Sequence, residues 1–230
     1  MIKVIAFDLD DTLWHVDPVI IRAEQILKDW LIEHVPGFPY DMHYMNQFRK
    51  QVLADQPKLA GRLTEFRRRV IEKALIHHGR KDSTKIAAEA MQVFLVARNQ
   101  VEFFDGALET LGIVAEHYRL GAITNGNADI FKLGLDRYFS FAFCAEEVGA
   151  PKPAPDLFHK ALSHTGVSAN EMVYVGDDRI KDIDAAKAIG IKTVWLRNER
   201  RAGPGNSEPD SIIETIKELP NAINRIENCV

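Results

Sequence analysis

Residues 2 to 7 form an apolar run that stops at Asp8, the pattern of a strand buried on both faces. The period then becomes helical. Asp17 and Pro18 make a helix start, a capping side chain followed by proline at the first helical position. Ile20, Ala23, Leu27, Trp30 and Leu31 recur at helical spacing until Pro36-Gly37 ends the run. Further helices are predicted from a cap at Asp41 to residue 55, over 62–78 closed by Gly79, and from a cap at Ser83 to residue 99. From residue 100 strands and helices alternate. The strands are predicted at 120–124, 141–145, 172–175 and 191–196, and the helices at 106–117, 129–135, 155–165 and 179–189. Residues 197–208 read as a polar loop, and a last helix is predicted from Asp210.

Alternation of this kind argues a parallel sheet covered on both faces. The fold class is therefore α/β, a Rossmann-like doubly wound core with an inserted α-helical domain. A helical block of roughly eighty residues between the first two strands is far longer than an ordinary connection. The expected division is a core of residues 1–15 and 100–230 and a helical domain of 16–99.

Composition narrows the function. The net charge of -4 offers no electrostatic footprint for nucleic acid, and no run is long and apolar enough to span a bilayer. The first residues lack the pattern of a signal peptide. Cys144 and Cys229 match no metal spacing or disulfide framework. These features predict a cytoplasmic protein, and no pattern sets an oligomeric state.

In an open parallel sheet, ligands bind at the carboxyl ends of the strands. Asp8 and Asp10 sit at such an end in FDLDDT, Thr124-Asn125 close LGAIT, and Asp177-Asp178 follow VYVG. Lys152 lies among prolines on a connection leaving another strand. Clustered carboxylates repel unless a cation is present. A hard divalent cation such as magnesium resolves that conflict and commonly shares its shell with a phosphate. A lysine and a hydroxyl at the same edge suit phosphoryl transfer, which depends on positioning and charge neutralisation. A carboxylate can act as the nucleophile on phosphorus.

Asp8-x-Asp10-x-Thr12, Thr124-Asn125, Lys152-Pro153 and Gly176-Asp177-Asp178 with Asp182, in that order, resemble the haloacid dehalogenase-like (HAD) superfamily, and the helical insert resembles its C1 cap. The resemblance implies Asp8 as nucleophile and metal ligand. It implies Asp10 as general acid and base, with its backbone carbonyl also on the metal. Thr124, Asn125 and Lys152 would bind the phosphoryl group, and Asp177 would ligate Mg2+. Asp178 and Asp182 would serve in the surrounding shell. Trp14, Arg67 and Arg68 are candidate substrate contacts, each weighed against plain packing or a solvated helix face.

The dehalogenase branch lacks an aspartate at the position of Asp10, which sets that chemistry aside here. The expected enzyme is a magnesium-dependent phosphatase of a small phosphomonoester. Its motifs look most like flavin-pathway phosphatases acting on flavin mononucleotide or the phosphorylated pyrimidine precursor of riboflavin. The alternatives are a sugar phosphomutase and a receiver-like signalling module. Receivers are about half this length and carry no helical insert.

Overall fold

The computed structural model describes residues 1–198 and 205–228. The chain divides into two compact units, Met1–Val16 with Val101–Val230, and Asp17–Gln100. The first unit is built on β1 (Val4–Phe7), β2 (Arg119–Thr124), β3 (Phe139–Cys144), β4 (Met172–Gly176), β5 (Lys192–Leu196) and β6 (Ser211–Ile213). They form one parallel sheet in the order β3-β2-β1-β4-β5-β6. The order reverses at β1, where the chain steps to β2 on one side and β4 on the other. That reversal opens the crevice in which doubly wound sheets bind ligands.

All four residues of β1 are buried because helices cover both faces of the sheet. Ala6 aligns with Gly121 of β2 and Tyr174 of β4, so these three residues share one face. Small residues at two of the three positions leave that face room for large rings. At Gly121 the space a Cβ would occupy is taken by the Phe141 ring, whose Cζ would lie 2.1 Å from it.

The second unit is helical: α1 (Val16–His34, its first residue belonging to the other unit), α2 (Met42–Asp55), α3 (Leu63–His77) and α4 (Ser83–Arg98). Leu27, Leu31, Phe48, Leu75 and Phe94 are among the residues of its core. Asp41 caps α2 by accepting from the Tyr44 N–H at 2.8 Å. No helix among the described residues is long and apolar enough to cross a membrane.

Several boundaries differ from the sequence reading. The first helix begins at Val16 and not at Asp17-Pro18, because the Asp11 carboxylate reaches forward to accept from the Val16 N–H at 2.9 Å. Residues 129–135 form hydrogen-bonded turns, closed by Leu133 N–H to the Asp129 carbonyl, in place of the expected short helix. The expected helix at 179–189 is a π-helical turn, Arg179–Asp184, leading into a short helix, Ala185–Ala188. The largest difference lies after residue 205. The segment starting at Asp210 is not helix but β6, and the last helix runs Leu219–Asn228. Asp210 holds β6 to β5, accepting from the Thr193 N–H at 2.8 Å and the Lys187 ammonium at 3.0 Å. Cys229 lies outside the described residues.

Candidate active site

The ladder of β1 continues for one residue, with the Asp8 N–H donating to the Val175 carbonyl at 2.9 Å. That bond places the Asp8 carboxyl at the reversal point. Period-two alternation puts Asp8 on the same face as Ala6 and Tyr174. The chain then makes a tight buried loop, closed by Asp11 N–H to the Trp14 carbonyl at 2.7 Å. Asp11 takes a left-handed φ of 61° in this loop, and its carboxylate accepts from the Val16 N–H that starts α1.

Lys152 is buried and donates to Asp8 Oδ1 at 3.0 Å, Asp182 Oδ1 at 2.7 Å and Tyr174 Oη at 2.6 Å. Burial works against its charge, but Asp182 and Asp8 outweigh that penalty and hold the ammonium up at about 12. Burial in turn raises the Asp182 carboxyl to about 6, in spite of Lys152. Asp8 is also raised, by burial first and by the Asp10 charge, against the pull of Lys152. Burial, with Asp182 and Asp8 nearby, keeps the Tyr174 phenol well above its ordinary range, so it remains a neutral hydroxyl. At its backbone Lys152 is clamped by one side chain: Asn125 Oδ1 accepts its N–H at 2.7 Å and Asn125 Nδ2 donates to its carbonyl at 2.8 Å.

Asp177 lies beyond β4. Carboxylate oxygens of Asp8, Asp177 and Asp182 all fall within 4.8 Å of one another. Trp195 Nε1 donates to the Asp177 carbonyl at 2.9 Å, and Asn198 Nδ2 donates to Asp177 Oδ2 at 3.1 Å. The donor set suits a hard divalent cation. It is all carboxylate oxygen, it is buried, and it carries more negative charge than one ammonium neutralises. Thr124 is buried at the end of β2, its hydroxyl accepting from the Gly126 N–H at 3.0 Å.

The remaining predicted residues fall around this cluster or apart from it. Asp10 accepts from the Trp14 indole at 2.9 Å, and Trp14 is fully buried with its ring edge-on to Phe103. Asp178 caps the turn that follows β4, accepting from the Ile180 and Lys181 N–H groups. Arg67 and Arg68 belong to the helical unit, and both meet carboxylates there. Arg67 binds Glu24 at 2.9 Å and lies over the Phe94 ring; Arg68 binds Glu65 at 2.7 Å.

Sequence reasoning missed three residues that hold the cluster together: Tyr174, Trp195 and Asn198. For Tyr174 a signal existed, since a phenol inside an otherwise apolar buried strand must find a hydrogen-bond partner.

Residues 2–190 match the family model described as haloacid dehalogenase-like hydrolase. The 5-amino-6-(5-phospho-D-ribitylamino)uracil phosphatase YigB of Escherichia coli is 31% identical over 201 residues, covering 86% of this chain and 84% of that protein. A glyceraldehyde 3-phosphate phosphatase of Pyrococcus abyssi is 29% identical, covering 99% of this chain and 95% of that protein. A crystal structure described as a 2-haloacid dehalogenase from Pseudomonas syringae superposes with a TM-score of 0.94 at 39% identity, over 98% of this chain and 99% of that one. An α/β sheet that reverses at β1, the Asp8–Lys152–Asp182 cluster and the family match together make this chain a member of the haloacid dehalogenase-like hydrolases.

Proposed function

We propose that this protein is a magnesium-dependent phosphomonoester hydrolase that works through a phosphoryl group carried on Asp8. The observation that carries the reading is the buried Lys152 ammonium bonded to Asp8, on the sheet edge where Thr124 and Asp177 also end. Asp8 attacks phosphorus, and the bond between phosphorus and the alcohol oxygen breaks. Asp10 gives its proton to the leaving oxygen. A water then attacks the aspartyl-phosphate, Asp10 takes that water's proton, and inorganic phosphate leaves with Asp8 restored. Thr124 and the Asn125 backbone hold the phosphoryl oxygens, Lys152 turns to them the N–H it gives Asp8 in the free site, and Asp178 and Asp182 support that set.

Asp8, Asp177 and the Asp10 backbone carbonyl would hold Mg2+, which when bound offsets negative charge on the phosphoryl oxygens. The inserted helical unit acts as the cap that selects the alcohol part of the substrate. Trp14 bonds Asp10 and thereby orients it. Arg67 and Arg68 enter as contacts for the leaving group, each sharing its guanidinium with Glu24 or Glu65.

For the substrate we propose a flavin-pathway phosphomonoester, either the phosphoribitylamino-pyrimidine or flavin mononucleotide. The relative named for the first compound supports it. The test is phosphate release from these two and from glyceraldehyde 3-phosphate, with Mg2+ and with chelator, alongside Asp8→Asn. Release that needs Mg2+ and vanishes in Asp8→Asn is expected; release that survives Asp8→Asn contradicts the reading.

The P. syringae structure favours a second reading, in which Asp8 attacks carbon and expels halide. A departing halide takes no proton, so Asp10 would have no leaving group to protonate there. Halide release from 2-chloropropionate without Mg2+ would support that second reading.

A further inference from the structure

Lysine has three N–H donors, and in Lys152 all three are accounted for. Two go to the carboxylates of Asp8 and Asp182, and the third goes to the Tyr174 hydroxyl at 2.6 Å, the shortest of the set. That hydroxyl donates its own O–H to the Ile123 carbonyl at 2.7 Å, one residue before Thr124. Its distance to Asp182 Oδ1 is 3.4 Å, so the carbonyl is the better acceptor.

The ring reaches this point because of the sheet register. Tyr174 stands on β4 beside Ala6 of β1, and the short alanine side chain lets the ring extend toward β2 on the far side. Phe158, on the helix Asp156–Thr165, packs against the ring edge-on, with centroids 4.9 Å apart. The tyrosine is fully buried and so cannot exchange its partners for water.

We propose that Tyr174 is a positioning residue: its neutral hydroxyl fixes the Lys152 ammonium against Asp8 while adding no negative charge to a site already rich in carboxylates. A carboxylate in its place would deepen the charge excess, and an apolar ring would leave both a lysine N–H and the Ile123 carbonyl unpaired. Asn125 fixes the backbone end of the same lysine, so the two residues together define where its charge sits.

The kinetic consequence rests on the phosphatase reading; the restraint on the lysine rests on geometry alone. The two are separated by measuring both in the same proteins. In protein labelled with 15N-lysine, the Lys152 Nζ–H signal is identified by its loss in Lys152→Arg. We expect it to exchange slowly with water in the wild type and at least about tenfold faster in Tyr174→Phe. With the substrate that the wild type turns over, kcat in Tyr174→Phe falls about 10- to 100-fold, the usual cost of losing an outer-shell hydrogen bond, while KM moves little.

Phe158→Leu, which loosens the ring's packing and keeps the hydroxyl, leaves both readouts near wild type. A rapidly exchanging Lys152 signal in the wild type overturns the proposal. So does an unchanged signal and kcat in Tyr174→Phe, or an equal loss in Phe158→Leu. A signal that changes as expected in a protein releasing no phosphate upholds the positioning role and rejects the phosphatase reading.

Discussion

Replacing Gly176 with alanine probes the rigidity of the site with one methyl group. Gly176 closes β4 and is buried. A Cβ there would lie 2.4 Å from Asp182 Oδ2 and 2.5 Å from its Cγ. Asp182 has little freedom to yield. Its Oδ1 accepts from Lys152 at 2.7 Å and its Oδ2 from the Asp178 N–H at 3.0 Å. Making room therefore breaks bonds to a charged group, each worth about 1.5–3 kcal/mol. Overpacking adds about 1–3 kcal/mol.

With one of the two bonds lost, these costs come to about 2.5–6 kcal/mol, a large part of the ~5–15 kcal/mol that stabilises a typical fold. The melting temperature should fall by about 10 °C, at roughly 2–4 °C per kcal/mol for a chain of this size. Circular dichroism melts measure this, and phosphate release should collapse in parallel because Lys152 loses an anchor. Adding Asp182→Ala to Gly176→Ala should cost less than the two single changes summed, since the methyl then has space. A glycine freed of such contacts gains about 0.4–1 kcal/mol on becoming alanine. A melting temperature equal to or above wild type would therefore refute the rigid-carboxylate argument.

Three further outcomes follow from the same geometry. Gly121→Ala drives a Cβ into the Phe141 ring and should cost about 1–3 kcal/mol, read as a lower urea midpoint with an unchanged slope. Asn198→Ala removes the donor to Asp177 Oδ2 and should weaken Mg2+ binding about 10- to 100-fold, measured by calorimetry without substrate. Glu171 is held down to about 2, by the Lys3 ammonium first and then by the Ser168 N–H and hydroxyl. A depressed carboxyl contributes stability that is full above its ordinary value of 4.5 and is lost as pH falls from there toward about 2. Glu171→Gln should remove that part of the acid sensitivity, seen as a shallower fall of the melting temperature across that window.

What the sequence discloses and what it hides follow the range of the interactions involved. β1, β2, β4 and β5 are visible as apolar runs because each is buried on both faces, and each ends in the polar residues that mark the crevice. Asp8, Lys152 and Asp182 come together from segments far apart in the chain. Their meeting could be expected only from motif order on a known type of sheet.

β6 escaped because three residues, Ser211-Ile212-Ile213, make too short a pattern. Asp210 there looks like a helix cap, while its carboxylate in fact serves the Thr193 N–H. Tyr174 escaped for another reason. Its hydroxyl matters because β4 and β2 flank β1, and strand order is not written in local periodicity. Asp11 shows the opposite case, a carboxylate directly after the two site aspartates whose bond to the Val16 N–H is local.

The central claim is that Asp8 carries the phosphoryl group. The direct measurement is mass spectrometry of protein quenched in acid during turnover of the phosphoribitylamino-pyrimidine phosphate, followed by peptide mapping. One added phosphoryl group is expected on the peptide containing Asp8, absent from Asp8→Asn. Turnover with Asp8 unmodified at every quench time would contradict the claim.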